Sequence, residues 1–312
     1  MTDLGQGERK TRAALLSILS NSCLIALKLA AGIITGSIAI ITEAIHSSID
    51  LLASVIAFIS VRKAEEPADE DHPYGHHKIE HLAAAIEGML ILVGAGIIVF
   101  ESVRRLADPP EVESLGIGIA VIAFSMVANV LVSTYLYRQA RATDSPALEG
   151  DAAHLRTDAL TSGGVLIGLI AVEVTGVELI DPLVALLVAG AIVIAGLRIL
   201  ARSSRVLVDE VLPEQELAAI RSVLEGHGND EIAGYHKLRA RRAGSRRYVD
   251  MHVQFHEGTT LARAHELSHE LQAQIAARVR GADVLIHLEP ERPSEQVHGG
   301  GGTDGDQHPG IA

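Results

Sequence analysis

Residues 115–137 read LGIGIAVIAFSMVANVLVSTYLY, a run of 23 residues without a charged side chain. About 20 consecutive apolar residues match the thickness of the hydrocarbon core of a bilayer, whereas the core helices of soluble proteins are usually shorter. Further segments of the same character lie on both sides of this run. The sequence therefore predicts six membrane-spanning helices, at residues 13–35, 38–61, 80–106, 115–139, 146–176 and 182–203.

Prolines mark several ends of these predicted helices. Pro109 stops the third helix, because proline cannot continue the ladder of helical hydrogen bonds. Ser145-Pro146 and Asp181-Pro182 each place a capping side chain before a proline, which favours the first helical position. These pairs predict where the fifth and sixth helices begin.

Charge and composition narrow the possible functions and set the orientation. The net charge of -13 argues against nucleic acid as a partner, and the single cysteine, Cys23, excludes an intramolecular disulfide. Lysine and arginine are concentrated in the connections on one side of the predicted membrane, which is the cytoplasmic side. We therefore expect a multi-pass protein of the inner (plasma) membrane, embedded in the lipid bilayer, with both termini in the cytoplasm.

The last third of the chain is more polar and predicts a small α+β domain. Its expected elements are a helix at 213–227, strands at 236–242 and 247–255, a helix at 260–280 and a strand at 283–288. The order α-β-β-α-β predicts a sheet with helices on one face. The predicted domains are a cytoplasmic N-terminal arm at 1–12, a six-helix transmembrane domain at 13–208, a cytoplasmic metal-binding regulatory domain at 209–291 and a disordered tail at 292–312.

Two predicted membrane helices carry the same polar motif. His46-x-x-x-Asp50 lies in the second span and His154-x-x-x-Asp158 in the fifth, and residues four apart share a helix face. Two such helices facing each other would direct two imidazoles and two carboxylates to one point, a ligand set that suits tetrahedral Zn²⁺. The alternative is that these side chains only hydrogen-bond between helices. The repetition, where charge is expensive, favours a metal transport site.

A second candidate metal site lies in the connection after the second span, which reads DEDHPYGHHK over residues 69–78. Asp69, His72 and His76 are its candidate ligands, and a solvated polar loop is the alternative. A third candidate site lies in the C-terminal domain. His236, His252 and His287 fall on the three predicted strands, Glu289 follows the last of them, and His265 lies on the second helix. Histidines on adjacent strands of a sheet can converge on one metal ion.

Two other classes of protein are compatible with parts of this pattern. His265-Glu266-Leu267-Ser268-His269 spells H-E-x-x-H, the zinc motif of metalloproteases, in which the glutamate activates water. The motif is short, however, and lies in a charged soluble helix of a small domain with no dedicated third ligand. A metal sensor that does not transport would explain the cytoplasmic histidines, but not ligands inside the membrane.

From residue 12 to residue 291 the chain resembles the cation diffusion facilitator family. The landmarks that carry the resemblance are Thr35-Gly36-Ser37, His46-x-x-x-Asp50, Asp71-His72-Pro73-Tyr74-Gly75-His76 with Lys78, His154-x-x-x-Asp158, Val208-Asp209-x-x-Leu212-Pro213 and Ile286-His287-x-Glu289-Pro290. Bacterial members of the family often have Asp at the positions of His46 and Glu289.

The resemblance implies a homodimeric transporter, not an enzyme. It implies a transport site at His46, Asp50, His154 and Asp158, a loop site at Asp69, His72 and His76, and a two-metal cytoplasmic site at His236, His252, His265, His287 and Glu289. It also implies that Lys78 and Asp209 form a structural lock. Ligands must lose protons before they bind a metal, so we expect exchange of cations for protons. The nitrogen donors favour Zn²⁺, with Fe²⁺, Co²⁺, Ni²⁺, Cd²⁺ and Mn²⁺ as alternatives.

Overall fold

The computed structural model describes residues 3–35, 38–107, 116–177, 179–226 and 231–291. Its elements are α1 (Asp3–Thr35), α2 (Ile38–Ala64), α3 (Ile79–Ala107), α4 (Gly116–Thr143), α5 (Pro146–Thr175), α6 (Ile180–Leu207), α7 (Glu214–Gly226), β1 (Ile232–Ala243), β2 (Arg246–Phe255), α8 (Leu261–Arg278) and β3 (Ala282–Pro290). This order confirms the predicted fold class. The predicted disordered tail at 292–312 lies outside the described residues.

Six long helices form the N-terminal part of the fold. Among the described residues, α1, α3, α4, α5 and α6 each contain a segment long and apolar enough to cross a membrane. The remaining helix, α2, is 27 residues long and packs against α1, α3 and α5. It carries the first of the two His-x-x-x-Asp motifs, so polar side chains interrupt its apolar sequence.

The first helix is longer than predicted. It begins at Asp3, so most of the expected arm at 1–12 continues the membrane helix. Lys10 lies inside the protein, where it pairs with Glu65 and Glu80, and the exposed pair of Glu8 and Arg12 has the i, i+4 spacing that supports a helix. Charged residues in this segment therefore stabilise the helix instead of ending it.

The start of the fifth helix is as predicted, and that of the sixth is not. Ser145 is the N-cap of α5 and Pro146 follows it. In α6 the N-cap is Leu179, which makes no side-chain hydrogen bond, and Pro182 lies in the first turn. Because the backbone N–H groups of a first helical turn have no helical partner, proline is tolerated there at more than one position.

Small residues let the membrane helices approach closely. One buried cluster joins α1 to α5, and a second joins α3 to α6. A methyl group at Gly88 would lie 3.1 Å from the backbone nitrogen of Leu200, and one at Gly196 would lie 3.0 Å from the Leu92 side chain. Glycine at both positions therefore sets the distance between α3 and α6.

The C-terminal part of the chain contains a three-stranded sheet in the order β1-β2-β3. β1 and β2 form a hairpin whose turn includes Gly244 with a φ of 56°, a left-handed conformation that favours glycine. The residues divide into two compact units, one of Met1–Pro213, Ala240–Tyr248 and Arg280–Ala282, the other of Glu214–Arg239, Val249–Val279 and Asp283–Ala312. The tip of the hairpin thus belongs to the helical unit.

Candidate metal centres

The two membrane motifs meet in the helical unit. His154 Nε2 lies 3.2 Å from Asp50 Oδ1 and 4.0 Å from Asp158 Oδ2, so α2 and α5 supply one cluster. One ligand atom of each of the three residues lies within 4.8 Å of the others. Asp50 and His154 are buried. The i, i+4 spacing and the packing of α2 against α5 together place three N/O donors where the sequence predicted a transport site.

His46 is the fourth ligand that the sequence predicts for this site. It lies on α2, one helical turn before Asp50, and its side chain is outside the described residues. The helical repeat nevertheless places it on the same face of α2 as Asp50.

The loop after α2 brings Asp69, His72 and His76 together. Asp69 Oδ1 accepts a 2.6 Å hydrogen bond from the backbone N–H of His72, and the His72 ring nitrogen Nδ1 lies 3.1 Å away. His76 Nε2 is 3.3 Å from Asp69 Oδ2 but lacks the alignment of a hydrogen bond, so its buried ring nitrogens stay unpaired. Burial raises the pKa of Asp69, but the hydrogen bonds from His72 outweigh it and lower the pKa. Unpaired imidazole nitrogens beside a charged carboxylate fit a metal ion.

The third cluster lies on the sheet. Glu289 Oε2 is 2.8 Å from His236 Nε2, and Glu289 Oε1 is 2.6 Å from His252 Nδ1. These hydrogen bonds lower the pKa of Glu289 to about 2. On β2, Val249, Met251 and Val253 are buried, so alternation places His252 on the opposite face of the strand. A carboxylate held between two imidazoles is a suitable metal-ligand set.

Two other predicted ligands lie less close to this cluster. His287 Nε2 is 3.8 Å from Glu289 Oε1, and its ring is 4.7 Å from that of His252. His265 Nε2 lies 3.1 Å from His269 Nε2, one turn along the exposed side of α8. Among the described residues, the cluster with ligand atoms within 4.8 Å holds His236, His252 and Glu289 only.

A backbone feature beside this cluster was not predicted. Lys237, the residue after His236, has a φ of 50° within β1. A residue that is not glycine adopts this conformation at a cost, and irregular strand residues of this kind redirect their neighbours. Nothing in the sequence around Lys237 signals this conformation.

Lys78 and Asp209 form the predicted contact. Lys78 Nζ donates a 2.7 Å hydrogen bond to Asp209 Oδ1, and Arg241 donates to Asp209 Oδ2 at 3.1 Å. The hydrogen bond from Lys78, followed by the charge of Arg241, lowers the pKa of Asp209. The Arg241 guanidinium also stacks on the rings of Tyr74 and Tyr248. The sequence missed Arg241 because it is one of several basic residues in β1.

The comparison with known families identifies the family of this chain. A family model described as the cation efflux transmembrane domain matches residues 14–208, and one described as the cytoplasmic domain of cation efflux proteins matches residues 212–291. The chain belongs to the cation diffusion facilitator family. As a member of this family, it is a membrane transporter that exports divalent metal cations, and its cytoplasmic domain is of the homodimer-forming type.

Several relatives of this cation diffusion facilitator match nearly its whole length. A protein of Synechocystis described as an uncharacterized transporter is 35% identical over 91% of this chain and 92% of the relative. The cation-efflux pump FieF of Serratia proteamaculans is 32% identical over 89% of this chain and 92% of the relative. The solved metal-bound C-terminal domain of the CzcD transporter from Thermotoga maritima is 28% identical and covers 24% of this chain and 87% of that chain, with a TM-score of 0.23.

The H-E-x-x-H segment of this cation diffusion facilitator lies on α8, where His265, Glu266 and His269 are exposed. Glu266 pairs with Arg263 at 3.2 Å, and none of the metal-ligand clusters within the described ranges includes His265 or His269. The Serratia proteamaculans relative described above is named as a cation-efflux pump. The motif is part of a histidine- and glutamate-rich amphipathic helix.

Proposed function

We propose that this protein exports Zn²⁺ from the cytoplasm across the inner (plasma) membrane in exchange for protons, with both termini in the cytoplasm. The observation that carries the proposal is the cluster of Asp50, His154 and Asp158 inside the helical bundle. Ionisable residues in membrane helices are expensive, and they mark ion pathways.

The chemistry of the ligands supports zinc as the transported ion. His46 and His154 supply nitrogen, and Asp50 and Asp158 supply oxygen, which together make the four-ligand N/O set that Zn²⁺ accepts in a tetrahedron. His154 Nδ1 has no hydrogen-bond partner. Both imidazoles must be neutral and both carboxylates ionised to bind the ion, so binding expels any protons that these groups carry. Rebinding of protons after release on the far side couples export to the proton gradient.

We propose that the other two sites regulate transport. Asp69, His72 and His76 hold one ion in the loop, and His236, His252, His287 and Glu289 hold metal in the cytoplasmic domain, with His265 as a further ligand. Metal bound there screens and cross-links acidic and imidazole-rich surfaces of the two protomers and so biases the separation between them. Lys78 and Asp209 lock the loop to the end of α6.

The decisive experiment measures zinc flux and proton flux together in proteoliposomes that contain the full-length protein. Asp50→Asn and Asp158→Asn keep the size of each side chain and remove a charged ligand, so each should reduce zinc flux to the background. Asp181→Asn, at the start of α6, is the control outside the cluster and should transport normally. Full zinc flux in Asp50→Asn would refute the assigned transport site, and zinc flux without proton flux would refute the exchange.

A further inference from the structure

Glu87 is a carboxyl group of the membrane domain that lies outside the sites described above. Glu87, two turns into α3, is fully buried, and neither of its carboxylate oxygens has a hydrogen-bond partner. An unsatisfied buried polar group costs about 1–3 kcal/mol, and an uncompensated buried charge costs more. Ionisable side chains inside membrane helices are, as a rule, functional. The position of Glu87 therefore calls for an explanation beyond packing.

The neighbouring helix is shaped around this carboxyl group. A methyl group at Gly150 on α5 would lie 1.9 Å from Glu87 Oε2 and 3.3 Å from the Cα atom of Ala84. Any side chain at that position would displace the Glu87 carboxyl group. Glycine at position 150 thus lets Glu87 lie against the α5 backbone.

The residue after that glycine is a second buried carboxylate. Asp151 is fully buried on α5. The helices that pack against α3 are α2, α5 and α6. Among the described residues of these helices, Asp151 is the one whose charge interacts electrostatically with Glu87. Asp151 Oδ1 accepts a 2.9 Å hydrogen bond from Ser54 Oγ. Ser54 Oγ in turn contacts Ser17 Oγ at 2.9 Å and accepts a 2.8 Å hydrogen bond from Asn21. Asp151 Oδ2 has no hydrogen-bond partner.

This polar chain leads toward the transport cluster. Asp151 lies three residues before His154 on α5, and Ser54 lies four residues after Asp50 on α2. Each is therefore about one helical turn away from a proposed metal ligand and on the same side of its helix.

In the other direction the chain leads to a cavity. A cavity of about 260 Å³ lies among α3, α4, α5 and α6, and its wall includes Ala84 and Gly150, the two residues that border the Glu87 carboxyl group. Its wall also contains charged side chains, among them Arg141 and Arg202. A polar cavity of this size holds several water molecules. The Glu87 carboxyl group thus lies behind the cavity wall that Ala84 and Gly150 form, next to Asp151 on α5.

We propose that Glu87 and Asp151 form a proton relay for the transport cycle. The inference rests on the proposed exchange of zinc for protons. A proton released when the cation binds passes to Asp151, and then to Glu87 as the O–H bond on Asp151 breaks and one on Glu87 forms. Glu87 then gives the proton to water in the cavity. No electrons are exchanged, and the relay returns to its starting state.

The test uses the full-length protein in proteoliposomes, with zinc and proton fluxes recorded across a range of pH. Glu87→Gln keeps the shape of the side chain, but its amide cannot take up and release a proton. This substitution should therefore lower the coupled flux of zinc and protons about tenfold or more and flatten the pH dependence of that flux. Glu87→Asp keeps a carboxyl group and should retain most of the flux. Glu101→Gln, on the same helix, should behave like the wild type. Equilibrium zinc binding should be unchanged in Glu87→Gln.

The outcomes separate the relay from the exchange on which it rests. If the wild type transports zinc without moving protons, both the proposed exchange and the proposed relay are refuted. If the wild type couples the two ions and Glu87→Gln does so with the same rate and pH profile, the relay alone is refuted. If Glu87→Gln does not fold, Gly150→Ala decides, because it displaces the carboxyl group without removing it. That variant should slow coupled flux in the same pH-dependent way, and normal flux would overturn the proposal.

Discussion

Replacing Lys10 by methionine should destabilise the membrane domain strongly, because it leaves a buried carboxylate without its cation. Lys10 Nζ donates 2.8 Å hydrogen bonds to Glu80 Oε1 and to Glu65 Oε1. The other oxygen of Glu80 accepts a hydrogen bond from Ser145, the N-cap of α5. The side chains of Lys10 and Glu80 are each 2% exposed, whereas that of Glu65 is 35% exposed. The buried ion pair between Lys10 and Glu80 is therefore the contact that contributes most to stability.

The size of the effect follows from this burial. Removing one member of a buried ion pair costs about 3–5 kcal/mol, because the remaining charge stays buried without compensation. For a domain of this size, each kcal/mol lowers Tm by about 2–4 °C, so Lys10→Met should lower Tm by about 6–20 °C. The pair of Glu8 and Arg12 on the same helix is the control, since its side chains are 64% and 72% exposed. An exposed pair contributes at most about 1 kcal/mol.

The assay is thermal unfolding of the full-length dimer in detergent, followed by size-exclusion chromatography after heating. Lys10→Met combined with Glu80→Gln removes both charges and should recover most of the lost Tm. The double-mutant cycle then gives a coupling energy that exceeds that of Glu8 and Arg12. A loss of Tm in Lys10→Met no larger than that in Arg12→Met would refute the reasoning, as would additive effects of the two substitutions.

Three further predictions address selectivity, regulation and pH. His46→Asp should raise flux of Cd²⁺ or Mn²⁺ relative to Zn²⁺ in competition, and an unchanged ratio would place selectivity elsewhere. His252→Ala with His287→Ala should weaken the dependence of flux on cytoplasmic zinc without stopping turnover, whereas loss of turnover at saturating zinc would put these residues on the transport path. The pKa of Asp209 is lowered from 3.8, chiefly by the hydrogen bond from Lys78, so its stabilising effect is complete above that value and is lost as the pH falls through the native pKa. The Tm difference between wild type and Asp209→Asn should therefore shrink below about pH 4, and a constant difference would contradict it.

The sequence by itself was sufficient for the features that depend on local pattern. The length of each apolar run predicts a membrane helix, and the i, i+4 spacing of His154 and Asp158 predicts that both lie on one helix face. The order of helices and strands in the C-terminal domain follows from periodicity. The structure confirms these elements, with the first helix extended to Asp3 and the sixth starting earlier than Asp181.

The tertiary structure decided which distant residues meet, because that depends on how closely the helices and strands approach one another. It placed Asp50 beside His154, paired Lys10 with Glu80, and added Arg241 to the contact of Lys78 with Asp209. Glu87 is the clearest case. Among the three glutamates of α3, Glu87 has no visible partner in the sequence, and only the close approach of α5 at Gly150 reveals that its carboxyl group is buried beside the wall of a cavity.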